Sequence, residues 1–546
     1  MRFAFAAAFF AALLAHSVSA APLHGAQHRP GALVDNDTYH YDTLRTGWNA
    51  DETTLTAANV SSKSFGKLFE VPMDGLTYTQ PLIAAGESIP GNGTHDLVIG
   101  GTNRDQLYAY DADNGSAIWH VDFTDKSKGI NYVPISYTYC NNTDNSDGIL
   151  STPVIDRATD SLYVVVATLE GKKKQPQTMV YRLHRLQLST GQEMAGSPVE
   201  ISATYYWSGS PISFNANVQF QRGALLEWTP PSGSGDPQIY IAFGSQCDFN
   251  GNQYHGWLLG YDAYSLGQTA VENVTPAQDS YGNYYGGIWM SGDGPAEDAN
   301  GQIYTAIGNG TFDGVTSFGE SIVEFPPGLS TNPSAGFQYF TPYTVYQDNA
   351  YDADTGSGGI LLLPDQSGPY PHEIVMQGKD GIFTVLNRDN MGGYVPGGPD
   401  NALSEVGLGG VWAAPAYFQD SNGDAYVYTT GGPLYQVKIS NGVASVVGST
   451  SVGFPSDNGN GSTPTISSNG STPGTAIAWI VQRPGDPATQ PLVLYAFGAQ
   501  NLGNQLFEAN LGHWPGYQSN PTLVPTVANG KVYVANAHSI EVFGLR

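Results

Sequence analysis

The sequence predicts an all-β protein built as a single eight-bladed β-propeller, with seven blades as the alternative. Three observations predict it. Glycine (67) and proline (35) are abundant in 546 residues, which suits short strands joined by many tight turns. The chain is 40% hydrophobic and 12% aromatic, ample core material, with only 13% charged residues. Above all, one four-strand pattern recurs along the chain, and such self-similarity marks a repeat architecture.

The pattern is an inner strand, an apolar strand rich in Tyr and Val, a third strand ending near a Gly turn, and a fourth strand. Its clearest copy runs Gln80-Pro-Leu-Ile, His95-Asp-Leu-Val-Ile-Gly, Leu107-Tyr-Ala-Tyr-Asp and Ala117-Ile-Trp-His. The second opens at Ser151-Thr-Pro-Val-Ile-Asp and continues through Ser161-Leu-Tyr-Val-Val-Val. Later copies are centred on Ile239-Tyr-Ile-Ala-Phe, Gln302-Ile-Tyr-Thr-Ala, Glu373-Ile-Val-Met, Ala425-Tyr-Val-Tyr and Ala476-Ile-Ala-Trp. The eighth, Leu523-Val-Pro-Thr-Val, Lys531-Val-Tyr-Val-Ala and Ser539-Ile-Glu-Val-Phe, stops after three strands. A lone strand, Lys67-Leu-Phe-Glu-Val-Pro72, precedes the first copy and has the character of a fourth strand. Pairing it with the last blade would close the ring and remove both exposed edges. The expected organisation is a signal peptide at 1–20, an N-terminal extension at 21–63 and the propeller at 64–546.

Arg2 followed by an apolar run to Ala15 and then Val18-Ser19-Ala20 reads as a cleavable secretory leader, so the protein is expected to be secreted and extracellular. No later apolar stretch is long enough for a membrane span. Secretion permits glycans at Asn36, Asn59, Asn92, Asn114, Asn141, Asn273, Asn460 and Asn469, all in Asn-x-Ser/Thr sequons, with a ninth sequon at Asn309. It also permits a bridge between the only two cysteines, Cys140 and Cys247, which are otherwise two buried thiols. A formal charge of −27 argues against nucleic-acid binding. The sequence says nothing of an oligomer.

One stretch carries chemistry. It contains Trp289, Asn309, Tyr351-Asp352-Ala-Asp354 and Lys379-Asp-Gly381. Two carboxylates and an amide offer hard oxygen ligands, suited to calcium or a similar ion. A carboxylate there could act as a general base, a lysine could bond an anionic cofactor, and an indole could be a stacking platform. Each residue also has a plainer reading. Asp352 and Asp354 could form an inter-strand turn like Tyr110-Asp-Ala-Asp113, Asn309 could cap a strand, Lys379 could be solvated in a hairpin, and Trp289 and Trp412 could simply pack.

The order and spacing of these residues resemble the pyrroloquinoline quinone (PQQ) dependent alcohol dehydrogenases. The resemblance implies Trp289 as the floor under the quinone, Lys379 as a quinone contact, and Asp352 as the catalytic base. It implies Asn309 as a metal ligand, with Asp354 as the additional ligand of lanthanide-using members. Asp248, in Gly244-Ser-Gln-Cys-Asp248, is the nearest acid to the position of the family's glutamate ligand. The implied cofactors are PQQ with calcium or a lanthanide. The chain departs from the pattern at several points: Tyr351 stands for a Trp, Asp248 is one methylene shorter than the glutamate, His255-Gly256 stands for an Arg-Gly, Asn309 heads a sequon, the neighbouring cysteine pair is missing, and no Cys-x-x-Cys-His motif is present to attach a haem.

Two classes of function follow. One is a secreted quinoprotein-like oxidoreductase acting on a small-molecule alcohol or sugar. The other is a non-catalytic propeller that binds a glycan, protein or small molecule. They part on whether Trp289, Asn309, Asp352 and Lys379 converge at one end of the channel.

Overall fold

The computed structural model describes residues 33–546 except 139, 141–142, 173–174, 232, 234, 248–253, 281, 332, 455–460, 484, 486–488 and 516–522. The predicted leader, Asn141, Asp248 and Asn460 therefore lie outside the described residues.

Eight mainly antiparallel sheets of four to six strands follow one another in chain order, from the sheet beginning at Leu82–Ile89 to the sheet ending at Ser539–Leu545, with a separate two-stranded hairpin of Thr204–Trp207 and Ser210–Ser213. The eighth is completed by Phe65–Pro72, which pairs antiparallel with Ser539–Leu545 and so closes the ring. Eight blades, not seven, are present.

The strand Ser161–Glu170 shows why its sequence is an unbroken apolar run. Side chains alternate across a strand, and in a propeller both faces of each sheet are covered. Leu162, Val164 and Val166 face the first blade in one core cluster. Tyr163, Val165 and Ala167 face the third blade in another. The same sharing fills the seam between the last blade and the first, where Val71, Val98 and Val542 meet. The core is thus a set of seams between blades.

Within the expected N-terminal extension, residues 36–49 form the floor of the channel. Residues 36–49 bond to the inner strand of every blade. Asn36 pairs with Ile83, and the Asp37 carbonyl accepts from Ile155 N–H. The Arg45 guanidinium donates to the Leu225 carbonyl. The carbonyls of Thr43, Leu44, Thr46 and Gly47 accept from the N–H groups of Glu297, Leu362, Tyr417 and Ile466. The Asn49 amide donates to the Val527 carbonyl. At the centre, Tyr39 stacks on His40 at 4.4 Å and packs among Ala224, Ala414 and Val524, which each lie two residues before the inner strand of a different blade. Arg45 is fully buried and also donates to the carbonyls of Pro295 (2.8 Å) and Tyr39 (3.1 Å), with Asp293 4.0 Å away. A buried charge is tolerated where its donors are met in this way.

The predicted disulfide is formed. Cys140 and Cys247, 107 residues apart with Cα atoms 5.6 Å apart, tie a loop of the second blade to one of the third.

Candidate functional site at the open end of the channel

Strand direction decides which groups share an end. Ile303–Ala306 runs out to Gly308-Asn309, and Glu373–Gln377 runs out to Lys379. Asp354 lies just before the inner strand Ile360–Leu362, which descends from the same end. Trp289 lies before the inner strand Ala296–Glu297 of the preceding blade. All four positions therefore fall at one end, while the Thr43 and Leu44 carbonyls close the other, where Glu297 and Leu362 lie.

The side chains meet. The Lys379 ammonium is 2.5 Å from the Asp354 carboxylate and 3.1 Å from that of Asp352. The Asn309 side-chain amide donates to Asp352 at 3.3 Å, and the Asn309 backbone N–H donates to Asp354 at 2.6 Å. Lys379 Nζ lies 5.7 Å from the centroid of the Trp289 ring and 5.2 Å from that of Trp412, close enough for a cation–π attraction. The two indoles pack edge to face at 5.6 Å. Trp412, expected to be packing, thus packs against the predicted platform itself.

Close backbone approach makes this possible. A Cβ on Gly378 would stand 2.5 Å from the carbonyl oxygens of Asp354 and Thr355, and one on Gly308 would stand 3.0 Å from the Asp354 carboxylate. Asp352 and Asp354 are not a hairpin turn like Asp111 to Asp113. Asp352 ends a short helix, Val345–Tyr351, in a left-handed conformation (φ 56°), and Asp354 begins a 3₁₀ turn, Thr355–Ser357.

The two carboxylates differ in access. The Asp352 side chain is 63% exposed and that of Asp354 is 1% exposed. Burial pulls the Lys379 ammonium down, but Asp354 and then Asp352 outweigh it and hold it above its ordinary value. Beneath them Glu320 is fully buried and accepts from the Thr355 N–H at 2.6 Å. Burial first, and the charge of Asp354 second, push the Glu320 carboxyl well up.

Sequence reasoning missed three partners: Glu320, Trp412 as a platform partner, and Arg222. The buried Arg222 guanidinium lies 5.8 Å from the Trp289 centroid, and burial draws it down to about 10. A signal existed for Arg222, which precedes an inner strand, Gly223-Ala-Leu-Leu, much as Trp289 precedes the next one.

The predicted glycan sites divide. Asn92 and Asn114 are exposed, and Asn59 and Asn469 are partly covered. Asn36 and Asn273 are fully buried, and the Asn36 amide donates to Pro81 and Thr526. The fold leaves no room for a glycan on either, so both are corrected to structural asparagines. A sequon describes neighbours in sequence and says nothing of burial.

No protein-family model and no curated protein matches the sequence. The architecture does match solved structures. A quinohemoprotein alcohol dehydrogenase from Comamonas testosteroni aligns over 95% of this chain and 81% of its own, with TM-score 0.57 and 15% identity. One from Pseudomonas putida covers 94% and 80%, with TM-score 0.57 and 14% identity. A europium-containing methanol dehydrogenase covers 94% and 98%, with TM-score 0.56 and 12% identity. The chain thus has the eight-bladed fold of the PQQ-dependent alcohol dehydrogenases. At these identities the likeness is one of fold, and function rests on the site.

Proposed function

We propose that the protein is a secreted quinoprotein-like oxidoreductase that uses PQQ, with calcium or a lanthanide, to oxidise an alcohol or sugar. The observation that carries this is the convergence of Trp289, Asn309, Asp352, Asp354 and Lys379 at the open end of a channel whose other end is plugged. The donor chemistry suits the cofactors in kind. Trp289 and Trp412 offer aromatic surface, and Lys379 and Arg222 offer positive charge to a planar, anionic ring. The amide of Asn309 and the carboxylates of Asp352 and Asp354 are hard oxygen donors for the ion, with Asp248 as the further ligand implied by sequence.

When bound, PQQ would supply the hydride acceptor. This chain's residues would do the rest. Asp352 is the one carboxylate of the pair that a substrate hydroxyl can reach, so it is the base that takes the hydroxyl proton. Asp354, shut away from substrate, would serve the ion and hold Lys379 and the Asn309 backbone in place. The leader sequence and the exposed sequons at Asn92 and Asn114 support secretion.

A second reading, a propeller that binds a glycan, protein or small molecule without chemistry, is favoured by one observation. The Lys379 ammonium engages both carboxylates, so an ion would have to share them. Dye-linked oxidation of a panel of alcohols and sugars, after loading with PQQ and calcium or a lanthanide, separates the two. Turnover that is lost in Asp352→Asn supports the oxidoreductase. No turnover on any substrate supports the binding protein.

A further inference from the structure

A second cleft, of ≈ 360 Å³, opens at the opposite end of the propeller, between the fourth and fifth blades. Its residues lie at or near the strand ends that face away from Asn309 and Lys379. Gln302 precedes Ile303–Ala306, Gln338 begins Gln338–Thr341, and Arg388 follows Ile382–Asn387. None of the residues of the Asp352–Lys379 site lines it.

The cleft is polar, and its polar groups are already fixed in position. The buried Asp298 carboxylate accepts from the Arg388 guanidinium at 3.2 Å and from the Tyr304 hydroxyl at 3.1 Å. The buried Glu324 accepts from the side-chain amides of Gln302 (2.9 Å) and Gln338 (3.3 Å). At the rim, the His372 imidazole pairs with Asp389 at 2.8 Å. Preorganised donors and acceptors in a concave site of this size are the ordinary make-up of a small-ligand pocket.

The charges decide what class of ligand suits it. Asp298 is balanced by Arg388, and burial raises the Glu324 carboxyl to about 7, so the walls carry little net charge near neutrality. An anion finds the one guanidinium, Arg388, already paired with Asp298, and Asp389 against it at the rim. A metal ion finds no group of three ligating acid, histidine or cysteine side chains among the described residues. A lipid finds no aliphatic residue in the lining, and a flat aromatic ligand finds the Tyr304 ring only 1% exposed. What remains is a neutral ligand that both donates and accepts many hydrogen bonds.

We propose that this cleft binds a neutral, hydroxyl-rich small molecule, a monosaccharide or polyol, through the carboxylates of Asp298 and Glu324 and the amides of Gln302 and Gln338. It is a site separate from the one assigned to oxidation and does not depend on that assignment.

Hydrogen-exchange mass spectrometry of the whole protein with D-glucose, D-mannose, sorbitol and, as a charged control, glucosamine tests this. The expected result is saturable slowing of exchange in peptides spanning 298–304, 324–338 and 385–389 with a neutral ligand, and none in peptides spanning 348–358. Gln338→Leu should weaken it at least tenfold. If that variant unfolds, Asn300→Ala should weaken it instead, since Asn300 is exposed and lines the rim of the cleft. Slowing only at 348–358, a preference for glucosamine, or no slowing with any neutral probe would overturn the proposal.

Discussion

The Lys379 ammonium lies 2.5 Å from the Asp354 carboxylate, and the pair is almost wholly shut away from water. Its other partner, Asp352, lies in the open at 3.1 Å. Removing the cation would take from the buried Asp354 its nearest countercharge, above the buried Glu320. Lys379→Met is therefore expected to lower the stability of the folded chain by about 3–5 kcal/mol. Asp352→Ala, which removes an exposed partner, should cost no more than about 1 kcal/mol. Urea unfolding of the two variants checks this. Equal losses would mean that the buried half of the arrangement is not the stronger half.

The channel floor makes a second prediction. Tyr39 is 1% exposed and is the one large side chain in a core cluster with Ala224, Ala414 and Val524. Tyr39→Ala opens a cavity on the axis of the ring and should cost about 3–5 kcal/mol. Thermal unfolding of the variant reads this directly. A floor that merely drapes over the channel would give a much smaller loss.

Stability should fall as pH rises from mildly acidic to alkaline. Burial raises the carboxyls of Glu272 and Glu297 to about 8 and that of Asp293 to about 7. Such groups keep a proton in the folded chain that the unfolded chain gives up from about pH 4 upward. Their stabilising contribution is full at low pH and is lost progressively up to about pH 8. His40 and His255, lowered to about 3 and about 4 by burial, act oppositely below about pH 6.5. The urea midpoint is expected to be higher at pH 6 than at pH 8.5. A higher midpoint at pH 8.5 would show that these acids are charged in the fold.

Glycan mapping by mass spectrometry, after expression in a secreting eukaryotic host, should find occupancy at Asn92 and Asn114. It should find none at Asn36, Asn273 or Asn309, whose amides are buried or turned into the site. A glycan on Asn309 would place that residue outside the site.

The blades were legible because each seam needs the same alternation, as in Leu162 to Ala167, and because a three-strand end and a lone Lys67–Pro72 strand have one economical way to pair. Asn309, Asp352 and Lys379 were legible as candidates, but whether they converge stayed open until the closed ring set the direction of the strands they flank. The floor was not. Residues 36–49 have no period to detect, and His40, Tyr41 and Arg45 take positive φ angles that their residue types do not advertise. Glu320 was hidden for the same reason: it is a lone acid, also at positive φ (57°), at the head of an apolar strand.

The central claim is that the Trp289–Lys379 cluster holds a quinone beside a metal ion. Calorimetric titration of PQQ into the purified protein, with calcium and separately with a lanthanide, tests it most directly. The account predicts saturable, metal-dependent binding that is lost in Asp352→Ala and in Asn309→Ala. Absence of binding with either ion, in a protein shown to be folded, would contradict it and leave a quinoprotein-shaped scaffold with another use.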